Sequence, residues 1–260
     1  TQAGGREMSG LSVRNLNKSY GALRVTHDLS LEIHPGELHA IIGPNGAGKT
    51  TLITQLSGQS PSDSGEILFD GRDIMRLSMP ERVHLGLARS FQITSILPKF
   101  TVLENVALAV QAKDGSSFRF FRAVAQEARL NARAMEFLAQ VGLDQSADLP
   151  ASALSHGDHR RLELAMALAS EPKLLLLDEP LAGTGGQDAE ALVDLLAAQK
   201  GRITIVLIEH DMGAVFSLAD RISVLVYGEI IATGTPEEIR NNAAVRAAYL
   251  GDEEAEEIPC

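Results

Sequence analysis

Eight consecutive residues, Gly43, Pro44, Asn45, Gly46, Ala47, Gly48, Lys49 and Thr50, fit the pattern G-x-x-x-x-G-K-[S/T] without substitution. The chemistry of that pattern is a polyphosphate cradle. Its glycines let backbone N–H groups turn inward on phosphate oxygens, and a helix opening at its end adds a favourable dipole. Lys49 would reach the β- and γ-phosphates, the Thr50 hydroxyl would bind Mg²⁺, and Thr51 continues the same turn. A second group of residues, Leu174-Leu175-Leu176-Leu177-Asp178-Glu179-Pro180, ends an apolar run in two carboxylates. In a parallel sheet that strand end lies beside the phosphate loop. Asp178 would there support the Mg²⁺ shell, and Glu179 would orient or deprotonate an attacking water.

Three further candidates gain meaning from these two. His210 closes the run Ile205 to Glu209, so it should project from another core strand toward the same phosphates. A lone histidine at such a place is more often structural. Gln92, directly after Phe91, would complete the Mg²⁺ and water shell; without the other motifs it is an exposed loop glutamine. In Leu154-Ser155-His156-Gly157-Asp158-His159-Arg160-Arg161, Ser155 and Gly157 precede a helix expected from about Arg160 to Ala169. A hydroxyl and open backbone donors at a helix start bind anions, although spacing alone favours an ordinary N-cap. One phosphate loop needs one cradle, so a second anion site points to a nucleotide held by another molecule.

The elements that must carry these residues read as an α/β chain. Leu11 to Leu16 alternates apolar and polar residues, Val25 to Ile33 gives a second strand, and Leu38 to Ile42 is apolar enough to be buried on both faces. A helical pattern follows Gly43 as far as Leu56, and Gly65 to Gly71 forms a strand entering a turn. Between Gln92 and Ser155 helical signals dominate; Thr101 and Glu104 have capping-box spacing, and six of the eight phenylalanines lie between Phe91 and Phe137. This stretch reads as a helical insert. The core then resumes with a helix, the strand Leu174 to Leu177, a helix Gln187 to Gln199 and the strand Ile203 to Ile208. A further helix and a hairpin of Ile222 to Val226 with Ile230 to Ala232 through Gly228 come next. Thr235, Pro236 and Glu238 open the last helix. No internal repeat is visible.

Composition narrows the classes. The chain has 260 residues, 45% of them hydrophobic, which argues against disorder. No apolar run approaches the roughly 18 residues of a membrane span, and the first ten residues lack the apolar stretch of a secretion signal. One cysteine, Cys260, excludes an intramolecular disulfide or a clustered-cysteine metal site and suits a reducing compartment. A net charge of −11 argues against a nucleic-acid partner. Part of that charge sits in Asp252-Glu253-Glu254-Ala255-Glu256-Glu257, expected to be a solvated end.

Tyr20, GPNGAGKT, Gln92, LSHGD, LLLLDEP and His210, in that order, resemble the ATP-binding subunits of ABC transporters over about Leu11 to Gly251. The resemblance implies an α/β fold, a P-loop NTPase core of ABC ATPase type with an antiparallel β subdomain and an inserted helical subdomain. It implies one domain over 9–251, with core segments 9–91 and 157–251, a helical subdomain 92–156 and an acidic tail 252–260. ATP and Mg²⁺ are the implied ligands. The implied partners are a second ATPase subunit, two membrane permease subunits and, indirectly, an extracytoplasmic solute-binding protein, with the chain on the cytoplasmic face of the membrane. In a head-to-tail sandwich, Ser155 and Gly157 of one subunit would close on the γ-phosphate held by the other's Lys49. Tyr20, otherwise an ordinary strand tyrosine, matches the aromatic that stacks on adenine.

Finer features, among them ARSFQITSILPKFTVLENV, LSHGDHRRLELAMALA and the ending AAYLG, are similar to the ATPases of branched-chain amino-acid importers, whose relatives also move other amino acids, amides or urea. Two departures stand out: Asp158 replaces the usual glutamine, and LAGTGGQD lacks the usual Ser-Ala-Leu-Asp, so Asp188 carries no expected role. Both are expected to weaken hydrolysis. Repair ATPases of this type carry a long coiled-coil interruption, yet only 106 residues separate Lys49 from Ser155. Translation-type members carry two cassettes per chain, and a switch GTPase would not explain LSHGD or His210. Permease docking is expected near Gln92 and the stretch where Phe118, Phe120 and Phe121 alternate with Arg119 and Arg122; a small internal core, or contact of the arginines with lipid head groups, are the alternatives.

Overall fold

The computed structural model describes residues 10–90, 96–113 and 124–247. Alternation along Leu11–Tyr20 (β1) and Leu23–Ile33 (β2) produces an antiparallel hairpin with Leu11 opposite Ile33. Leu11, Val13, Leu16, Leu29, Leu31 and Ile33 all face inward. The alternation skips a residue between Val13 and Leu16, where Asn15 has φ +46 and the register shifts. Asparagine tolerates the left-handed region better than most residues, so the bulge falls where it costs least. Leu38–Ile42 (β3) and the helix Lys49–Ser57 (α1) come next, and then Ser64–Phe69 (β4) and Arg72–Asp73 (β5). The last two complete an antiparallel sheet in the order β2-β1-β4-β5.

Met79–Leu85 (α2) and Leu87–Arg89 (β6) lead to the helical part, which contains Val102–Lys113 (α3), Val124–Gln140 (α4) and His156–Ala169 (α5). The remaining core elements are Leu174–Asp178 (β7), Gln187–Ala197 (α6), Thr204–Ile208 (β8), Met212–Leu218 (α7), Arg221–Val226 (β9), Glu229–Gly234 (β10), Pro236–Asn241 (α8) and the short Ala243–Val245 (α9). The second sheet runs β10-β9-β3-β8-β7-β6, parallel from β9 through β6, with β10 antiparallel at one edge. Every residue of β3 and β8 is buried, as two covered faces require. Leu174 and Leu176 point to a core shared with α1 and the antiparallel sheet. Leu175 and Leu177 point the other way, into a core shared with α3 to α7. The β9–β10 turn, Tyr227-Gly228, has φ +49 and +83, the twist-matched hairpin form.

Several expectations need correction. The helix after the phosphate loop starts at Lys49 rather than directly after Gly43, because the loop takes residues up to Gly48. Helix α5 starts at His156, a turn before Arg160, with Ser155 as its N-cap, so Gly157 lies inside the first turn instead of preceding it. Polar His156, Asp158 and His159 hide that turn from a hydrophobic-period reading. Strand β6 and helix α2 were not anticipated at all. The strand has only three residues and owes its state to parallel pairing with β7, Leu87 opposite Leu174. The Thr101–Glu104 capping box is formed, with Thr101 N–H donating to the carboxylate at 2.7 Å and Glu104 N–H to the hydroxyl at 3.0 Å. Gln92, the Phe118 to Arg122 stretch and the acidic tail lie outside the described residues.

Candidate functional site

The phosphate loop leaves the fully buried β3 and is pressed from two sides. A Cβ on Gly43 would overlap the carbonyl of Leu225 in β9, and one on Gly48, at φ +105, would lie 2.7 Å from the Val25 carbonyl oxygen in β2. Only glycine fits either place. Gly228 N–H donates to the Ala47 carbonyl at 3.0 Å, so the hairpin turn braces the loop from outside. Gly46, by contrast, has open space around it. Lys49 is only 6% exposed, and its ammonium donates to the carbonyls of Gly43 at 2.6 Å and Pro44 at 3.0 Å. Burial pushes its pKa down, and the charges of Glu179 and Asp178 partly restore it. The cation is thus held within the loop that it would use to grip a phosphate.

The ends of β7 and β8 bring two expected residues into contact. Glu179 adopts φ +51, an unusual conformation for a glutamate, while its N–H donates to the Ile208 carbonyl at 2.9 Å. Its Oε1 lies 2.8 Å from His210 Nε2, and both side chains are 42% exposed, open to water. Asp178 is more enclosed. Its Oδ2 accepts from Arg89 Nη2 at 2.9 Å, and Arg89 Nη1 donates to Gln59 Oε1 at 2.9 Å. Burial raises the Asp178 carboxyl above its ordinary range; Arg89 opposes this, Glu179 adds to it, and Lys49 opposes it weakly. Asp178 and the exposed Thr50 hydroxyl are oxygen donors of the kind a hard divalent cation takes. No cluster of three or more His, Cys, Asp or Glu among the described residues would hold a metal unaided.

Sequence reasoning missed Arg89 and Gln59. A signal existed for the first: an arginine in the apolar run Gly86-Leu87-Ala88 has to find an anion once the strand is buried. Replacing Arg89 by methionine leaves Asp178 as an uncompensated buried carboxylate, and should cost about 3 kcal/mol of stability at neutral pH. The raised Asp178 pKa sets the sign of the pH dependence. A protonated carboxyl needs no counter-ion, so the deficit should shrink as pH falls toward the ordinary aspartate range near about 4. Urea unfolding of both proteins at several pH values measures it.

Tyr20, at the end of β1, is 51% exposed, with its hydroxyl 3.2 Å from Ser60 Oγ and the Lys18 ammonium 5.3 Å from its ring centroid. Ser155 and Gly157 sit elsewhere. No hydrogen bond among the described residues joins either to Lys49, Asp178 or Glu179. The Ser155 hydroxyl donates to Asp158 Oδ2 at 2.9 Å and accepts from Asp158 N–H at 3.1 Å. A Cβ on Gly157 would overlap the Asp188 carboxylate, and Arg161 bridges Asp188 at 3.3 Å and Asp158 at 3.6 Å. Asp188 therefore has a place that its sequence context did not suggest: it packs on the backbone of the first turn of α5.

Residues 26–182 match the ABC transporter family. The chain belongs to that family. Within it, residues 229–255 match the branched-chain amino acid ATP-binding cassette transporter family. The chain is 38% identical over 254 residues to the high-affinity branched-chain amino acid transport ATP-binding protein LivG of Escherichia coli K12, covering 93% of this chain and 98% of that protein. It is 34% identical to the lipopolysaccharide export system ATP-binding protein LptB of Haemophilus influenzae, over 95% and 99% of the two chains. Among solved structures it is similar to a nucleotide-free ATP-binding cassette from an ABC transporter, at 30% identity and TM-score 0.81, covering 94% of this chain and 100% of that one. It is also similar to the dimeric post-hydrolysis state of an ATP-binding cassette bound to ADP and phosphate, at 25% identity and TM-score 0.73, over 87% and 98%. This ABC subunit is an ATP-binding, ATP-hydrolysing protein. None of its described helices is long and apolar enough to cross a membrane.

Proposed function

We propose that this chain drives an importer of branched-chain or related amino acids from the cytoplasmic face of the membrane, in a head-to-tail pair with a related ATPase or with itself. Two permease subunits would complete the complex, and an extracytoplasmic binding protein would deliver the solute. The observation that carries the hydrolytic part is the direct Glu179–His210 contact at 2.8 Å on adjacent strand ends. Support for the solute class comes from the LivG similarity and the match at residues 229–255.

In this reading Lys49 and the backbone donors of residues 43–48 bind the phosphates, and Tyr20 stacks on adenine. Thr50, Gln92 and Asp178 hold Mg²⁺, whose bound charge would neutralise the β- and γ-phosphate oxygens. Glu179 orients a water and accepts its proton; His210 holds the Glu179 carboxylate by one ring nitrogen and contacts the γ-phosphate. Ser155 and Gly157 close on the ATP of the other subunit. The helical subdomain, 92–156, and the core meet at a groove of about 600 Å³ lined by Met79, Val83, Ala88, Leu97, Leu108 and Met166. Buried Arg89 Nε and Ser90 Oγ border the same groove and have no hydrogen-bond partner among the described residues. A permease segment with an apolar face and a polar acceptor would satisfy both needs. Gln92, two positions after Ser90 in the sequence, would in this reading couple docking to hydrolysis.

Reconstitution of the purified complex tests the solute. ATP hydrolysis should rise when leucine- or valine-loaded binding protein is added. A response only to other amino acids, amides or urea would replace the solute class. The LptB similarity supports a second reading, lipid export; stimulation by lipopolysaccharide with none by any amino acid would establish it.

Asp158 bears on the sandwich. The single Ser155 hydroxyl proton is committed to the Asp158 carboxylate, so Ser155 must release that bond before donating to a phosphate. The carboxylate also repels the incoming polyphosphate. Asp158→Asn should tighten the ATP-bound dimer about tenfold at low salt, with the gain shrinking as salt rises. Its cost is about 0.5 kcal/mol of monomer stability, from losing an anion at the start of α5. Sedimentation with hydrolysis blocked reads the first effect and thermal melting the second.

A further inference from the structure

Glu209 is 4% exposed and lies between the two strand ends that carry the proposed hydrolytic pair. Its Oε1 accepts the N–H of Leu181 at 2.7 Å, and its Oε2 accepts the N–H of His210 at 2.9 Å. The first of these donors has a structural history. Strand β7 pairs with β8 as far as Asp178 opposite Ile208, and Glu179 N–H makes one more bond to the Ile208 carbonyl. There the chain turns, with Glu179 at φ +51, and passes through Pro180, which has no N–H. The next donor, on buried Leu181, has lost its ladder. An unpaired buried N–H costs about 1–3 kcal/mol, and Glu209 removes that cost. The second donor belongs to His210 itself. Both carboxylate oxygens are thus engaged by backbone groups, one in each loop, and bonds to an ionised acceptor are roughly twice as strong as neutral ones.

We propose that Glu209 is a positioning residue for hydrolysis: it ties the turn after Glu179 to the backbone of His210, and so sets the 2.8 Å contact between their side chains. Both Glu209 carboxylate oxygens are taken up by backbone N–H groups, so its action on the reaction runs through Glu179 and His210. The inference rests on the reading of Glu179 and His210 as the hydrolytic pair. A displacement of about 1 Å can cost a hundredfold in rate, so a loosened clamp should be visible in turnover and silent in nucleotide affinity.

Glu209→Gln keeps the side-chain volume but turns an NH₂ group toward one of the two N–H donors. In the assembled transporter, with the partner's site disabled, kcat should fall about tenfold or more. The affinity for Mg-ATP should change by less than about twofold. Should that variant not fold, Glu209→Asp, with both acceptors on a shorter stem, is expected to show the same split. The substitution is then repeated on His210→Ala. A clamp acting through His210 has less to lose there, so the two effects combine to well under their product. Unchanged kcat in a folded Glu209 variant overturns the proposal. Full multiplication of the two effects, or equal losses of affinity and turnover, overturns it as well, since each marks general destabilisation. Glu179→Gln, measured alongside, separates the failures. If it retains hydrolysis, the hydrolytic pair has been misassigned; if it is inactive while Glu209→Gln turns over normally, only the clamp is wrong.

Discussion

Glu179→Gln should hydrolyse ATP about a hundredfold or more slowly than the parent while binding Mg-ATP as before. Glutamine keeps the length and one acceptor of the carboxylate, so the 2.8 Å approach to His210 Nε2 can be kept. What disappears is the negative charge and the ability to take a proton from water. Removing the charge also removes repulsion between this residue and the γ-phosphate. The variant should therefore accumulate as an ATP-bound dimer instead of dissociating. The backbone should tolerate the change, because the strained φ of +51 depends on the turn and on the Glu209 clamp, not on the carboxylate. Single-turnover hydrolysis together with size-exclusion chromatography in ATP checks both halves. The partner's site must be disabled first, or its turnover would mask the loss. Near-normal hydrolysis would remove Glu179 from the role of base.

The legible parts of this protein were those that chemistry confines to few residue types. Strands β3, β7 and β8 are buried along almost their whole length, and so appear as largely apolar runs, interrupted by His39 in β3, with the candidate site residues following them. The phosphate loop shows its glycines because backbone of β2 and β9 presses on Gly48 and Gly43. Short or polar features were less visible. Strand β6 is too short for any period to show. The first turn of α5 is made of the polar residues His156, Asp158 and His159 with Gly157, which show no apolar period. Long-range partners were the hardest. Nothing local to Arg89 names Asp178, nothing in Gly157 names Asp188, and Glu209 reads as a strand-end acid until the orphaned Leu181 N–H is located. Such residues are specified by what folding brings to them, so their type is visible in sequence while their purpose is not.

Lys49→Met should separate folding from function in opposite directions. The ammonium is nearly buried and its charge is disfavoured by burial, with only two backbone carbonyls and two nearby carboxylates to compensate. Methionine fills similar volume with no charge to desolvate, and replacing a buried ion by an apolar side chain of like size is often neutral or stabilising. The nucleotide-free variant should thus melt at or slightly above the parent temperature. Its response to ligand should collapse. Losing a charge-assisted contact to the β- and γ-phosphates costs about 2–5 kcal/mol, and a loss of about 2.7 kcal/mol, in the lower part of that range, is a hundredfold in affinity. At a Mg-ATP concentration about a hundred times the parent dissociation constant, the parent gains about 2.7 kcal/mol of stability and the variant only about 0.4. Thermal melting with and without Mg-ATP reads both numbers in one experiment. A parent-sized ligand shift in Lys49→Met would show that the phosphates are gripped by the backbone cradle alone. A large drop in the nucleotide-free melting temperature would instead show that Lys49 is a structural tie across the loop, held by the Gly43 and Pro44 carbonyls for the fold's sake rather than for the ligand's.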